Sequence, residues 1–441
     1  MASLLASAVG VRLAGAVIGM LLQVLLARWL TPTEMGGWFL VVSLGSFAGL
    51  LISAGFPTLG LTMLARYQSL ERPDMARKFL FRAVRDMVKW TVLLWIAGAL
   101  FLIFVSVPYE TRLAVIAGLA IAPASALLRL NGSAANAVRR YMTAIIPDFV
   151  GKSLLMLIAC LIWIVAYGSL SLDVVAALFF AFSCLTAWFV SRSLAENGAK
   201  LFMQEKVSPK LARAWSLRAW PMIFVALSML AMADFLTLVS TLLLPKHEVA
   251  QVGLAIRLAA LVGFFTQASQ QFVLRDLTGA LQARDSDGAR TMMLRTNYAC
   301  LGVICAALVG FAVVGKHVLG IFGADYVPAY TVLLLLMLAQ GLRALGGLNV
   351  HVLSLGGKQL LLGRLCIASF VIIAATASIL VPRYGIEGIG WAAIAGEVAW
   401  VVSVAILTRQ HVGWRGDLLA LFSSNNKIGD KIITKMNASK S

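Results

Sequence analysis

The chain has 441 residues, 61% of them hydrophobic and 13% charged, with a formal net charge of +18. Soluble domains average roughly 25% charged residues. So apolar a chain of this length excludes a water-soluble globule and implies a bilayer. The basic excess does not imply nucleic acid, because its placement along the chain has another cause.

A chain inside lipid must pair its backbone polar groups internally, so its spans are helices or a closed barrel. The apolar runs here are about 20 residues long and do not alternate, which selects helices. Twelve spans are expected, at 9–28, 36–59, 88–107, 112–130, 144–167, 172–191, 220–244, 249–273, 297–315, 328–348, 360–381 and 386–408. The first lacks the basic start and short apolar core of a cleaved leader and carries Arg12, so it reads as an uncleaved span. Pro57, Pro123, Pro147 and Pro221 fall at or within span ends, where proline starts or bends a helix.

Alternate loops differ sharply in charge. Those running Arg66–Lys89, Arg129–Lys152, Arg192–Arg218, Arg275–Arg295 and Arg343–Arg364, with the tail from Arg409, hold 30 of the 37 lysines and arginines. The other loops hold five: Arg28, Arg112, Lys246, Lys316 and Arg383. Cytoplasmic loops collect basic residues, so both termini are expected in the cytoplasm, with the basic loops facing anionic headgroups. Lys316–Val327, the longest external loop, is too short for a catalytic domain. The stretch 192–219 is too small for one as well.

The second half, shifted by 213 residues, places Asp287-Gly-Ala-Arg290 on Asp74-Met-Ala-Arg77, Arg295 on Arg82 and Pro245 on Pro32. The expected fold class is therefore an all-α polytopic membrane protein, two six-helix bundles related by a pseudo-twofold along the membrane normal. Its parts are 1–219, 220–410 and a polar tail at 411–441. Cys160, Cys184, Cys300, Cys305 and Cys366 all lie in apolar runs without metal-ligand spacing and read as apolar filling.

Several segments resemble a known family. Leu25-Leu-Ala-Arg-Trp-Leu-Thr-Pro-Thr-Glu-Met-Gly-Gly37 and Ser53-Ala-Gly-Phe-Pro57 are similar to the first-loop signature of Wzx-like polysaccharide repeat-unit flippases. Phe322-Gly-Ala-Asp-Tyr-Val-Pro-Ala-Tyr330, Gly356-Gly-Lys358 and Tyr384-Gly-Ile-Glu-Gly-Ile-Gly-Trp-Ala-Ala393 resemble later ones. Order and spacing match from about residue 10 to 408. Met35 stands where the family has tyrosine, and Ile389 replaces a small residue. The superfamily also holds multidrug and toxin extrusion antiporters and lipid II flippases. The resemblance implies a transporter, not an enzyme. It would move a polyprenyl-diphosphate-linked oligosaccharide from the inner to the outer leaflet of the plasma (inner) membrane, for lipopolysaccharide or exopolysaccharide synthesis. Its partners would be that lipid-linked substrate, membrane lipids and the polysaccharide polymerase machinery. The family offers no catalytic motif.

An ionisable side chain at the bilayer centre costs about 2.5–3.5 kcal/mol on insertion scales, and it faces a cavity or a partner. Those expected within spans are Arg12, Asp148, Lys152, Asp234, Arg257 and Glu397. Arg12 and Arg257 lie in opposite halves and suit a diphosphate, whose oxygens match guanidinium forks. Each could instead snorkel or pair with an acid. Lys152 is a third substrate-binding candidate, although it stands four residues from Asp148 and suits an ion pair. Asp234 and Glu397 are candidate ion-coupling carboxylates, or partners for an arginine such as Arg257. Asn131, Gln267, Gln270, Gln271, Asn349 and His351 suit sugar hydroxyls or interhelical hydrogen bonds.

No metal site and no cofactor is expected, and no G-x-x-x-x-G-K-[ST] loop for ATP occurs in the chain. Three other readings compete. A cation-coupled drug antiporter would want an acidic, aromatic cavity. A membrane-bound polymerase or ligase would want a large external loop. A non-transporting scaffold would want neither.

Overall fold

The computed structural model describes residues 2–138, 140–196, 207–263, 286–346, 349–350, 353 and 357–412. They are helical throughout, with no strand among them. Ten helices are long and apolar enough to cross a membrane, and a bent pair passes the same test together. A further helix, 246–263, covers the described part of the eighth expected span. Apolar side chains facing outward, such as Phe104 at 82% exposure and Val165 at 87%, are what a lipid-embedded surface requires.

Contacts divide the chain into two compact units. The first is Met1–Thr241 with Pro245–Ala250, and the second is Leu242–Leu244 with Gln251–Ser441.

The first unit begins with α1 (Ala2–Trp29) and α2 (Pro32–Ile52). The Thr-Pro-Thr-Glu signature between them is a helix start. Thr31 caps α2, the Glu34 amide donates to Thr31 Oγ1 and the Thr31 amide donates to Glu34 Oε2, with Pro32 in the first turn. This reciprocal box satisfies two otherwise orphaned amides. Glu34 Oε1 also accepts from the Leu172 amide, holding the start of a distant helix.

The second span ends earlier than its hydropathy suggests. α2 stops at Ile52, and α3 (Phe56–Ser69) begins after a tight turn. Gly55 has φ +76° there, and a Cβ on it would meet the Ala219 carbonyl. Only glycine meets both conditions without strain. The Ser-Ala-Gly-Phe-Pro motif is thus a corner against α9 (Pro209–Leu230) rather than the end of one span.

α4 (Pro73–Phe104) is a single helix of 32 residues, basic in its first half and lipid-facing in its second. α5 (Tyr109–Ala137) packs on α2, α3 and α8 (Leu172–Glu196). Between them, α6 (Tyr141–Ile145) passes into a wide π-helical turn, Ile146–Gly151, and then α7 (Lys152–Tyr167). Pro147 lacks an amide hydrogen and crowds the preceding turn, which is the physical cause of such widening. α1 presses on this turn at Gly15, where a Cβ would stand 2.7 Å from the Phe149 carbonyl oxygen.

α9 (Pro209–Leu230) starts from a Ser208 cap and turns 75° into α10 (Met232–Leu243). The bend falls at Ala231, not at Pro221, which lies inside α9. The stretch 192–219, a single loop by hydropathy, is helical at both ends: α8 reaches Glu196 and α9 opens at Pro209. Both α9 and α10 pack within the first unit, although their span, the seventh, is expected to open the second bundle.

The second unit holds most of α11 (246–263), then α12 (Ser286–Phe322), α13 (Tyr330–Leu345), α14 (Gln359–Tyr384) and α15 (Glu387–Val412). α13, α14 and α15 form its packed core. The Phe-Gly-Ala-Asp-Tyr segment is a 3-10 turn, Ala324–Ala329, that buries Tyr326. The Gln251 side-chain amide donates to the Asp325 carbonyl at 2.7 Å, and the Tyr330 hydroxyl donates to the Ala312 carbonyl at 2.7 Å.

Candidate functional site

Within the first unit, one charged cluster gathers residues far apart in sequence. Arg12 on α1 lies over the Phe149 ring, 5.5 Å from its centroid. That stacking is the cation–π geometry favoured by guanidinium. Asp148 and Lys152 flank this ring, paired at 3.3 Å. The Lys152 ammonium also sits 5.4 Å from the centroid of Phe179, which packs edge-on against Trp38. Arg129 on α5 donates to Ser46 Oγ at 3.2 Å and feels the charges of both Asp234 and Asp148. Asp234, in the first turn of α10 beyond the bend, is buried at 6% exposure. Phe235 beside it meets Phe47 across a ring separation of 6.3 Å.

Three cations therefore stand with two carboxylates inside apolar helices. Arg129 is the member that hydropathy misplaces. By apolar content it marks the edge of the fourth span, but α5 runs on to Ala137, two turns past it. A signal is present in the sequence. The small and apolar residues that follow, Gly132-Ser-Ala-Ala135, continue a buried helix face. Ser133, Ala134 and Ala135 are all buried.

The second unit holds a different arrangement. Arg343 on α13 reaches Glu397 on α15, with Nε 2.8 Å and Nη2 2.6 Å from Oε1. Glu397 is 2% exposed, and its Oε2 has no hydrogen-bond partner among the described residues. By charge Arg343 is counted with a basic loop, although the expected span 328–348 contains it. It lies inside α13, which ends at Leu345, and it is the arginine that meets Glu397. Arg257 lies on α11, a helix otherwise deeply buried at Leu254, Ala255, Ile256 and Leu258. Arg12 and Arg257 belong to separate compact units.

Asn131 makes an interhelical hydrogen bond, donating to Ser191 Oγ at 2.8 Å. Asn349 is fully buried. Gln267, Gln270, Gln271 and His351 lie outside the described residues. All five cysteines are free thiols; Cys160, Cys300 and Cys366 are buried, and Cys184 and Cys305 are exposed on apolar helices.

This helical architecture is shared with solved membrane transporters. An inward-facing multidrug-resistance transporter of the MATE family superposes with TM-score 0.70 at 16% identity, covering 94% of this chain and 99% of its own. The lipid II flippase MurJ, in an inward closed conformation, gives 0.67 at 14% identity, covering 93% and 87%. A point mutant of the Vibrio cholerae MATE transporter VcmN gives 0.67 at 14%, covering 93% and 96%. At such identities the likeness shows the fold alone. No family profile matches the chain, and no curated protein does.

Proposed function

We propose that this protein is a transporter, and specifically a flippase. It carries a polyprenyl-diphosphate-linked oligosaccharide from the inner to the outer leaflet of the plasma membrane by alternating access, for cell-surface polysaccharide synthesis. The observation that carries the reading is the first-unit cluster itself, in which Arg12, Arg129 and Lys152 gather among apolar helices with Asp148 and Asp234. Lys152 is matched by Asp148 and Arg129 stands against Asp234, while Arg12 stacks on Phe149. A diphosphate head group suits such a site, because guanidinium forks hold its oxygens in bidentate fashion. In this reading Arg257 is a further substrate contact, and both termini are cytoplasmic. The prenyl chain stays in lipid while the sugar crosses, and the polymerase machinery receives the product.

A second reading is a cation-coupled drug antiporter. The fold shared with MATE transporters supports it, as do two buried carboxylates, Asp234 and Glu397. In either reading these two are the coupling residues, with Glu397 Oε2 as the open acceptor. Against the drug reading, both carboxylates of the cluster, Asp148 and Asp234, already face cations.

The test reconstitutes the full chain in liposomes holding a prenyl-diphosphate oligosaccharide and follows lectin access to the sugar. The flippase predicts protein-dependent access that falls in both Arg12→Ala and Arg257→Ala. Access that neither substitution changes would keep the flippase and remove the site. No access, together with ion-driven efflux of an organic cation, would select the antiporter.

A further inference from the structure

A second basic site lies in the first unit, away from the Arg12 and Arg129 cluster. A cavity of about 480 Å³ opens between the first halves of α4 and α9, lined in part by Arg82, Arg85, Pro209, Arg213, Ser216 and Leu217.

Its wall is rigid on one side. Arg82 is held 3.0 Å from Asp86 Oδ1 and donates to Ser216 Oγ at 3.0 Å, while Ser216 donates to Asp86 Oδ2 at 2.9 Å. Asp86 is 7% exposed, so the triad is a fixed brace. It leaves Arg82 Nε buried and donating to no acceptor among the described residues. Arg85 and Arg213 are exposed at the rim and form no ion pair among the described residues. Three guanidiniums line the cavity, only Arg82 among them braced by Asp86, which also pairs with Lys89 at 3.9 Å. With one buried donor unspent, they make a site that a phosphate group would complete.

The surroundings favour a lipid as the carrier of that phosphate. α4 and α9 both run from basic to apolar. Trp90 and Trp220 stack across the same two helices, ring centroids 6.1 Å apart. They stand eight and seven residues beyond Arg82 and Arg213 respectively, about 10–12 Å along each helix. Tryptophans that are half exposed mark the level where headgroup meets acyl chain. Leu217, at 64% exposure, and Val88, at 58%, continue the apolar track. The cavity also exceeds the size of a bare phosphate ion and falls in the range of ligand pockets.

We infer that Arg82, Arg85 and Arg213 form a binding site for the phosphate of an anionic lipid headgroup, with its acyl chain lying along Trp90 and Trp220.

The test uses the full chain in zwitterionic nanodiscs. Brominated phosphatidylglycerol or brominated phosphatidylcholine is titrated in, and tryptophan quenching is followed. A parallel arm adds inorganic pyrophosphate and reads thermal stability. Arg85→Gln/Arg213→Gln is compared with Arg66→Gln/Lys210→Gln, which removes equal charge without touching the cavity. Both pairs are exposed, so neither disturbs packing. We expect phosphatidylglycerol to quench preferentially, with apparent affinity falling tenfold or more in the cavity variant and little in the charge-matched one. Stabilisation by pyrophosphate that the cavity variant alone loses, without lipid preference, keeps the site and assigns it to a soluble phosphate. A response that survives the cavity substitutions, falls equally in both variants, or is absent in both arms overturns the proposal.

Discussion

The two units carry charge into apolar helices in different ways. In the second, one guanidinium meets one carboxylate, and Glu397 is sealed to 2% exposure. In the first, cations on α1, α5 and α7 share two carboxylates across five segments. The Arg343–Glu397 pair fixes α13 against α15 while leaving Glu397 Oε2 without a hydrogen-bond partner among the described residues. A distributed cluster ties several helices at once, and its guanidiniums suit an anion in the proposed reading. The contrast is between a pair that joins two helices and a cluster that, in the proposed reading, serves a ligand.

The sharpest way to break this contrast is to open the sealed pair. Arg343→Ala leaves the Glu397 carboxylate buried without its partner, and breaking a buried pair on one side costs about 3–5 kcal/mol. We expect the largest loss of thermal stability of any variant here, read by unfolding in detergent. Arg343→Met/Glu397→Leu removes both charges and restores most of that stability, because matched apolar replacement of a buried pair is near neutral. If the double variant stays as unstable as the single, the pair does more than hold helices together.

The first-unit cluster is expected to respond in the opposite sense. Arg129→Gln/Asp234→Asn removes one cation and one acid, so neither is left buried alone. Folding should survive, while lectin-accessible transport falls by roughly tenfold or more, the worth of one charge-assisted hydrogen bond. Arg129→Lys keeps the charge and loses the fork, so an intermediate rate is expected. Full transport in the double variant would move the substrate site elsewhere.

These variants also show where sequence reading holds and where it fails. Long apolar runs carry the spans, because in lipid the periodicity of the buried face hardly matters and length decides. The Thr31–Glu34 capping box is legible as a motif, since its bonds reach only three residues. The corner at Ser53–Gly55 is not, because it depends on α9, more than 160 residues later in the chain. Arg129 and Arg343 are counted with basic loops although both lie near the ends of expected spans, because a charge at the edge of an apolar run looks like its end. Only tertiary partners, Ser46 for one and Glu397 for the other, show that the helix continues. The Arg82–Ser216–Asp86 brace joins residues 130 and more apart, and no local pattern announces it.

A smaller effect tests whether every member of the cluster matters alike. Lys152 and Asp148 are four apart on adjoining helical turns and are partly exposed. Such pairs contribute about 0.2–0.5 kcal/mol, so Lys152→Met/Asp148→Leu should barely change unfolding. Transport should fall less than in the Arg129 variants, since the ammonium is already matched. A loss as large as theirs would make Lys152 a primary substrate contact.

The smallest effect concerns a cation of the first unit outside the spans. Lys246 Nζ is buried with no hydrogen-bond partner among the described residues. Burial pushes its pKa below the ordinary 10.5, and Glu110 pulls it only partly back. The folded state therefore penalises the protonated form. At neutral pH both folded and unfolded chains hold the proton, and the penalty is present in full. As pH rises through the folded-state pKa toward 10.5, the folded chain releases its proton first. The unfolded chain then binds more protons, so stability rises with pH over that window. Lys246→Met carries no such term, and other titrating groups cancel between the two proteins. The variant should be the more stable at neutral pH, with the difference in unfolding temperature shrinking as the medium becomes alkaline. A constant difference across the window would mean that water reaches the ammonium, and Lys246 would then join the solvated loop charges.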